Sequence, residues 1–231
     1  MSEYEAGGAL TARDYTVEMY FKKMPAVSKF FVIGSLVLGL LCTFDVLSPL
    51  QLYLNISMIT DKFELWRIVT NLVYIGNLKA NAVNFAFHFY LLLSYLRALE
   101  DGAYYRRTAD LMWLILLTAI IQTVPIFVFE KTLSGELSMH IHFLSPSIIF
   151  MFVTLWARIH RGTNASWLFG ILNFDASWCP WFWAVVSLML SNNPVIAGLG
   201  MLQGYLFGLM GHNAYWLKAP IVLRAVCGEL D

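Results

Sequence analysis

Stretches of apolar side chains alternate with short charged connections from about residue 30 to residue 217. The pattern predicts six apolar helices, at about Phe30 to Phe44, Ala82 to Leu96, Leu111 to Phe129, Ser145 to Ile159, Trp178 to Leu190 and Val195 to Leu217. A helix needs roughly 20 apolar residues to cross about 30 Å of hydrocarbon. Several of these spans are shorter than that, which fits a locally thinned bilayer. Two connections break the pattern. The first, about residues 45–81, is long and amphipathic, with Leu50, Leu52, Leu54, Ile56, Met58 and Ile59 followed by Leu65, Trp66, Ile68 and Val69. Such a stretch is better placed lying in the membrane interface than extended into water. The second, Ser166 to Trp178, is too apolar for an ordinary loop and too short to span, so an interfacial or re-entrant segment is expected.

Composition supports lipid as the solvent. Of 231 residues, 59% are hydrophobic and 13% charged, about half the charged share usual in a soluble domain. The fold class expected is therefore all-α and polytopic, with a segment 1–26 before the membrane domain 27–217 and a short tail 218–231. Basic residues orient it. With the N-terminus cytosolic, 11 of the 15 Lys and Arg residues fall on the cytosolic side and 4 (Lys62, Arg67, Lys79, Lys131) on the other. This satisfies the positive-inside rule with both termini cytosolic and an even number of spans. Residues 1–24 carry Glu3, Glu5, Asp14 and Glu18 and no apolar core, so they do not read as a cleavable signal. Zero net charge gives no reason to expect a nucleic-acid partner. Cys42, Cys179 and Cys227 are odd in number and far apart, with neither a disulfide framework nor metal spacing. No metal site or cofactor is expected.

Six spans, the long first loop and Glu64-Leu65-Trp66-Arg67 within it together resemble the rhomboid superfamily. Read without the family, Trp66 would sit at headgroup depth and Arg67 snorkel to phosphate. Finer detail resembles the Derlin family. Leu99-Glu100-Asp101-Gly102, then Tyr105-Arg106-Arg107-Thr108-Ala109-Asp110, is similar to the Derlin junction between the second and third spans. Met24-Pro25-Ala26-Val27-Ser28-Lys29 resembles its approach to the first span, and Phe169-Gly170 to Pro180-Trp181 its approach to the fifth. The matches run in order over nearly the whole chain. On physical grounds alone, Glu100 and Asp101 flank Gly102 where the chain reverses, Arg106 and Arg107 hold the turn at the cytosolic surface, and Thr108 can cap the next helix. A charged turn with no binding role and a partner site fit this junction equally well.

The resemblance implies a rhomboid-like fold and raises the question of protease chemistry. Active rhomboids carry Gly-x-Ser-Gly at the start of the fourth span and a His in the sixth. Here the fourth span begins Leu144-Ser145-Pro146-Ser147, without the flanking glycines that shape an oxyanion pocket. His212 comes roughly 15 residues into the sixth span, some 20 Å too deep at about 1.5 Å per residue, whereas a base must come within about 3 Å. His88 reads as a helix-packing donor. His140 and His142 precede the fourth span without the further ligands a metal needs. A pseudoprotease with no catalytic residues is therefore expected.

Gly200, Gly204 and Gly208 form a small-residue stripe on the sixth span. Internal packing on the fourth or second span is preferred over an oligomer contact. Asn84, His88, Gln122, Thr123, Thr154, Ser187 and Gln203 are polar residues in or near spans. They read singly as interhelical hydrogen bonds and together as a wet groove.

The Derlin resemblance implies a non-catalytic factor of the endoplasmic reticulum membrane that binds misfolded proteins and assists their retrotranslocation to the cytosol for degradation. Glu64, Trp66 and Arg67 would receive clients. The implied partners are a ubiquitin-ligase membrane complex, a cytosolic AAA ATPase, and other copies or relatives in an oligomer. Residues 219–231 lack the Phe- and Gly-rich ATPase-binding motif of many longer Derlin tails, so recruitment would be indirect or would use a longer tail than these residues. An intramembrane serine protease and a structural or lipid-organising protein are the alternatives. Asn55-Ile56-Ser57 is a sequon on the expected lumenal side.

Overall fold

A computed structural model describes residues 24–54, 58, 62–64, 66–132, 143–167, 172–211 and 217–228. The segment 1–23, the Asn55 sequon, Leu65, His140, His142 and His212 lie outside these residues. Helices dominate. The first, α1 (Ala26–Thr43), is followed by a 3-10 turn at Pro49–Gln51, the short α2 (Trp66–Val73) and α3 (Leu78–Asp101). Next come α4 (Thr108–Thr132) and α5 (Ser145–Ile159). A two-stranded antiparallel ribbon follows, β1 (Asn164–Trp167) and β2 (Leu172–Asp175), paired Asn164 with Asp175 and Trp167 with Leu172. A 3-10 turn at Ala176–Trp178 leads into α6 (Cys179–Met189), then α7 (Pro194–Met210) and α8 (Ile221–Cys227).

Each of the six apolar stretches contains a helix, the sixth ending at Met210 and short of the expected Leu217 because Gly211 turns the chain. By length and composition α1 and α3 can cross a membrane, while the apolar helices Ser145–Ile159, Ala176–Met189 and Pro194–Met210 are shorter. The segment expected to be interfacial or re-entrant before the fifth span is the β1–β2 ribbon. Its second strand, Leu172-Asn173-Phe174-Asp175, alternates apolar and polar side chains, the period of a strand.

Helix ends follow local chemistry. Pro194 occupies the first turn of α7, where its missing N–H costs nothing, and the Asn193 side chain accepts from Val195 N–H. Gly211, at φ +59°, ends that helix in a conformation few other residues adopt. Asn77 caps α3 by accepting from Lys79 N–H, and its amide donates to the Cys42 carbonyl at 3.2 Å, tying the end of α1 to the start of α3.

The centre of the molecule is α5. Ile148, Ile149, Phe150, Met151, Phe152 and Val153 are all 2% exposed or less, so every face of this helix is covered by protein. A helix apolar all round and buried all round belongs at the core of a bundle. Helices α1 and α7 instead present apolar side chains outward, among them Phe30, Val37, Leu202 and Leu209. These helix faces are oily while Ser28, Ser35, Thr118, Gln122 and Gln203 lie inside, the arrangement lipid favours.

Candidate functional site

The first loop is organised by one arginine. Arg67 lies on the inner face of α2, 6% exposed. Its Nε donates to Glu64 Oε2 at 2.5 Å, its Nη1 donates to the carbonyls of Leu50 and Tyr53 at 3.0 and 3.2 Å, and its guanidinium faces the Tyr53 ring at 5.6 Å. A planar fork with five donors suits such multidentate capture of carbonyls and a carboxylate. Thr70 reinforces the same loop by donating to the Leu52 carbonyl at 3.3 Å. Of the three loop residues singled out by sequence, Glu64 and Arg67 pair to hold the loop's shape. Trp66 points outward, 55% exposed, beside exposed Val69 and with Leu50 and Phe63 exposed elsewhere on the loop. Arg67 therefore does not snorkel to a headgroup: its charge is taken up by Glu64 and two loop carbonyls.

The junction after α3 holds two further ties. Glu100 is buried, and its carboxylate accepts from Val27 N–H at 3.0 Å, Ser28 N–H at 2.7 Å and the Ser28 hydroxyl at 2.6 Å. It caps the N-terminus of α1 from a different helix. Gly102 ends α3, and a Cβ there would lie 2.7 Å from the Ala98 carbonyl oxygen. Asp101 makes an outer salt bridge to Arg97 at 3.1 Å, and Arg106 is exposed at φ +59°. Thr108 is the first residue of α4, so the cap position falls on Arg107.

Asp110 forms the second tie. Its Oδ2 accepts from Arg107 at 2.6 and 2.9 Å, and its Oδ1 accepts from Ala219 N–H at 2.8 Å and faces Arg224 of α8 at 3.4 Å. Burial pushes this carboxyl's pKa up, but the Ala219 N–H and the two arginines outweigh burial and hold it below its ordinary value of 3.8. A depressed folded value means the stability it contributes is complete above the ordinary value and is lost as pH falls through the folded one. Acidification below about 4 and Asp110→Asn are each expected to free residues 217–228. Protection of backbone amides there from hydrogen exchange, relative to an unfolded chain at the same pH, should fall roughly tenfold, the equivalent of one charge-assisted bond. Around neutral pH the wild-type protection of these amides, relative to an unfolded chain at the same pH, should be flat.

In the interior, α7 lies against α5 along its glycines. A Cβ on Gly200 would fall 2.0 Å from the Ser147 carbonyl oxygen, on Gly204 2.6 Å from that of Met151, and on Gly208 2.7 Å from Arg158 Cβ. The stripe packs inside the molecule, on the helix corresponding to the fourth span. Beside it Gln122 of α4 donates to Ser147 Oγ at 2.9 Å and to Gln203 Oε1 at 2.6 Å, joining three helices.

Ser145 and Ser147 are both 1% exposed. Ser145 donates to the Tyr74 carbonyl at 2.5 Å, and Ser147 accepts from Gln122. His88 Nδ1 donates to the Asn84 carbonyl at 3.0 Å, and its Nε2 has no partner among the described residues. Tyr95 takes a hydrogen bond from Trp183 Nε1 at 2.8 Å and touches Cys179 Sγ at 2.9 Å, linking α3 to α6. Of the polar side chains noted in sequence, Gln122 and Gln203 join one helix to another and Asn84 accepts from Asn192 at 2.8 Å, whereas His88, Thr123 and Thr154 bond to carbonyls one turn back in their own helices. Among the described residues no group of His, Cys, Asp and Glu could hold a metal ion, and Cys42, Cys179 and Cys227 are free thiols.

An oily exterior, a fully enclosed central helix and buried interhelical polar ties define a helical membrane protein. A model of the Der1-like family matches residues 24–218. Derlin-2.2 of Arabidopsis thaliana is 28% identical over 92% of this chain and 88% of its own length. Derlin-1.2 of Zea mays is 30% identical over 85% and 73%, and the probable derlin-2 homolog of Dictyostelium discoideum 28% over 90% and 81%. The chain belongs to the Der1-like family.

Proposed function

We propose that this protein is a non-catalytic factor of endoplasmic-reticulum-associated degradation that binds misfolded polypeptides and assists their passage to the cytosol. The observation that carries this reading is the Der1-like match over residues 24–218. The first loop supports it: Arg67 braces a backbone from which Trp66, Val69, Leu50 and Phe63 project apolar side chains outward. An exposed apolar face on a braced loop is suited to unfolded chain, whose own apolar side chains are uncovered. Six spans with both termini cytosolic would place this loop on the lumenal side, where clients originate. The short helices α5, α6 and α7 would thin the bilayer locally and lower the cost of moving polar chain. A ubiquitin-ligase complex, a cytosolic AAA ATPase and further copies or relatives are the partners this role requires.

Protease chemistry is the disfavoured reading, because Ser145 and Ser147 are both buried, Ser145 donating to the Tyr74 carbonyl and Ser147 accepting from Gln122.

The test is turnover of a misfolded lumenal client in cells depleted of the protein and rescued with variants at matched abundance. Wild type and Ser145→Ala/Ser147→Ala are expected to restore turnover. Trp66→Ala, which leaves the Arg67 brace intact, should slow it several-fold, in the range of losing one aromatic anchor. Failure of the serine variant alone would mean a protease. Equal rescue by all three would remove the loop from client binding.

A further inference from the structure

A cavity of 810 Å³ lies between α5, α6 and α7, at the ends of α5 and α6 remote from the α6–α7 turn. Its walls are apolar over most of their area, with Met201, Leu202, Pro180 and Trp181 among them, and Trp181 and Leu202 are 64% and 56% exposed, so it opens sideways. Along α7 it runs from Gly198 to Tyr205, about 10 Å at 1.5 Å per residue. A Cβ on Gly198 would meet nothing within 4 Å, so this glycine leaves space that no neighbour fills.

One end of the cavity is charged. Arg158 in the last turn of α5 and Arg161 in the turn just after it line it together with Asp175. Neither arginine lies within ion-pair distance of a carboxylate among the described residues, and the charge of Arg161 is met only by its longer-range pull on Asp175. Arg158 stacks its guanidinium over the Tyr205 ring at 4.6 Å, while its buried Nε has no acceptor among the described residues. Asp175 accepts from Ser177 N–H at 2.8 Å. The mouth thus carries one positive charge in excess, with a donor left over, above a slot of hydrocarbon. A free soluble anion would leave the slot empty, and a plain hydrocarbon would leave Arg158 unmatched. A molecule with a phosphate at one end and an acyl chain at the other satisfies both. Basic pockets between membrane helices bind anionic headgroups on this principle, and guanidinium suits phosphate through paired donors.

We propose that this cavity is a binding site for an anionic glycerophospholipid, whose headgroup phosphate sits at Arg158 and Arg161 and one of whose acyl chains lies along α7 between Gly198 and Tyr205. The site requires only that these helices lie in a bilayer, and it is independent of the degradation role.

The test uses the whole protein in phosphatidylcholine vesicles. They are doped either with phosphatidylserine or with phosphatidylcholine bearing a photoreactive group on one acyl chain, and labelled peptides are read by mass spectrometry. In the wild type, the peptide containing residues 198–205 is expected to be labelled about tenfold more by the serine lipid. The outward face of α1 should show no preference. Arg158→Gln/Arg161→Gln should bring the ratio near one. Gly198→Leu, which grows into open space, should suppress labelling of 198–205 by both probes and leave α1 labelling unchanged. A wild-type ratio near one overturns the proposal, as does a ratio that survives loss of both arginines.

Discussion

Gly200→Ala is expected to separate α7 from α5 and to lower resistance to thermal unfolding in micelles by about 3 kcal/mol, at the upper end of overpacking costs. The added methyl would lie 2.0 Å from the Ser147 carbonyl oxygen, 2.8 Å from the Ser147 carbonyl carbon and 3.0 Å from Phe150 Cβ. Two of these atoms are backbone and cannot turn aside, so the helices must move apart. Movement there also strains the bonds from Gln122 to Ser147 and Gln203, which cross the same contact. Lipid supplies no hydrophobic force to press the helices together again, because association in a bilayer rests on close packing. Gly204→Ala should cost less, since its closest backbone oxygen stands at 2.6 Å, and Gly208→Ala least, since it meets only the Arg158 side chain. Gly198→Ala provides the opposite sign. Its Cβ enters open space, and the helix gains up to about 1 kcal/mol from the better helix former. If Gly200→Ala unfolded with the wild type, the contact between α5 and α7 would not be the close one described.

How much of this could be read from sequence depends on how far apart the interacting residues are. The six apolar stretches were legible because burial in lipid or protein leaves a local signature, and α5 begins and ends where its pattern does, at Ser145 and Ile159. The glycine stripe was legible as a packing face, but two helices were candidates for its partner, and only the contact at Ser147 and Met151 selects α5. The ribbon after α5 was missed because apolar content was weighed over alternation: Leu172, Asn173, Phe174 and Asp175 alternate, and Phe169-Gly170 supplies a glycine between the strands. Resemblance pointed to Arg67 and Glu100 without giving their work. Arg67 reaches back 17 residues to Leu50 and Glu100 reaches back 72 to Ser28. No local pattern announces such partners, because each side chain alone looks like a surface charge. The cavity left no trace in sequence at all, as its arginines and its apolar wall come from α5, the turn after it, α6 and α7. Thr108 shows the reverse error: a good capping residue in a plausible place, set by the tertiary turn one position inside the helix.

Glu100→Gln is the substitution expected to reveal that the junction is a structural device. The carboxylate accepts three hydrogen bonds, one on Oε1 from Val27 and two on Oε2 from Ser28, with both oxygens facing donors. The first N–H groups of a helix have no partner within it and carry its positive partial charge. A negative group with two acceptor oxygens therefore meets both needs, and it does so where water is excluded, at 5% exposure. Glutamine keeps the shape and one acceptor but turns an NH2 toward another N–H. It forfeits the charge and one or two bonds, and leaves a buried donor facing a donor. The expected loss is about 3 kcal/mol, from bonds to a charged acceptor that contribute about 1.5–3 kcal/mol each. Ser28→Ala removes only the hydroxyl bond and should cost about 1 kcal/mol. Asp101→Asn breaks an exposed pair with Arg97 and should cost well under 1 kcal/mol. The order Glu100→Gln, then Ser28→Ala, then Asp101→Asn, read as midpoints of thermal unfolding and as abundance in membranes, tests the arrangement. Equal midpoints for Glu100→Gln and Asp101→Asn would mean that Glu100 is a surface charge after all, and the fastening of α1 to α3 would have to lie elsewhere.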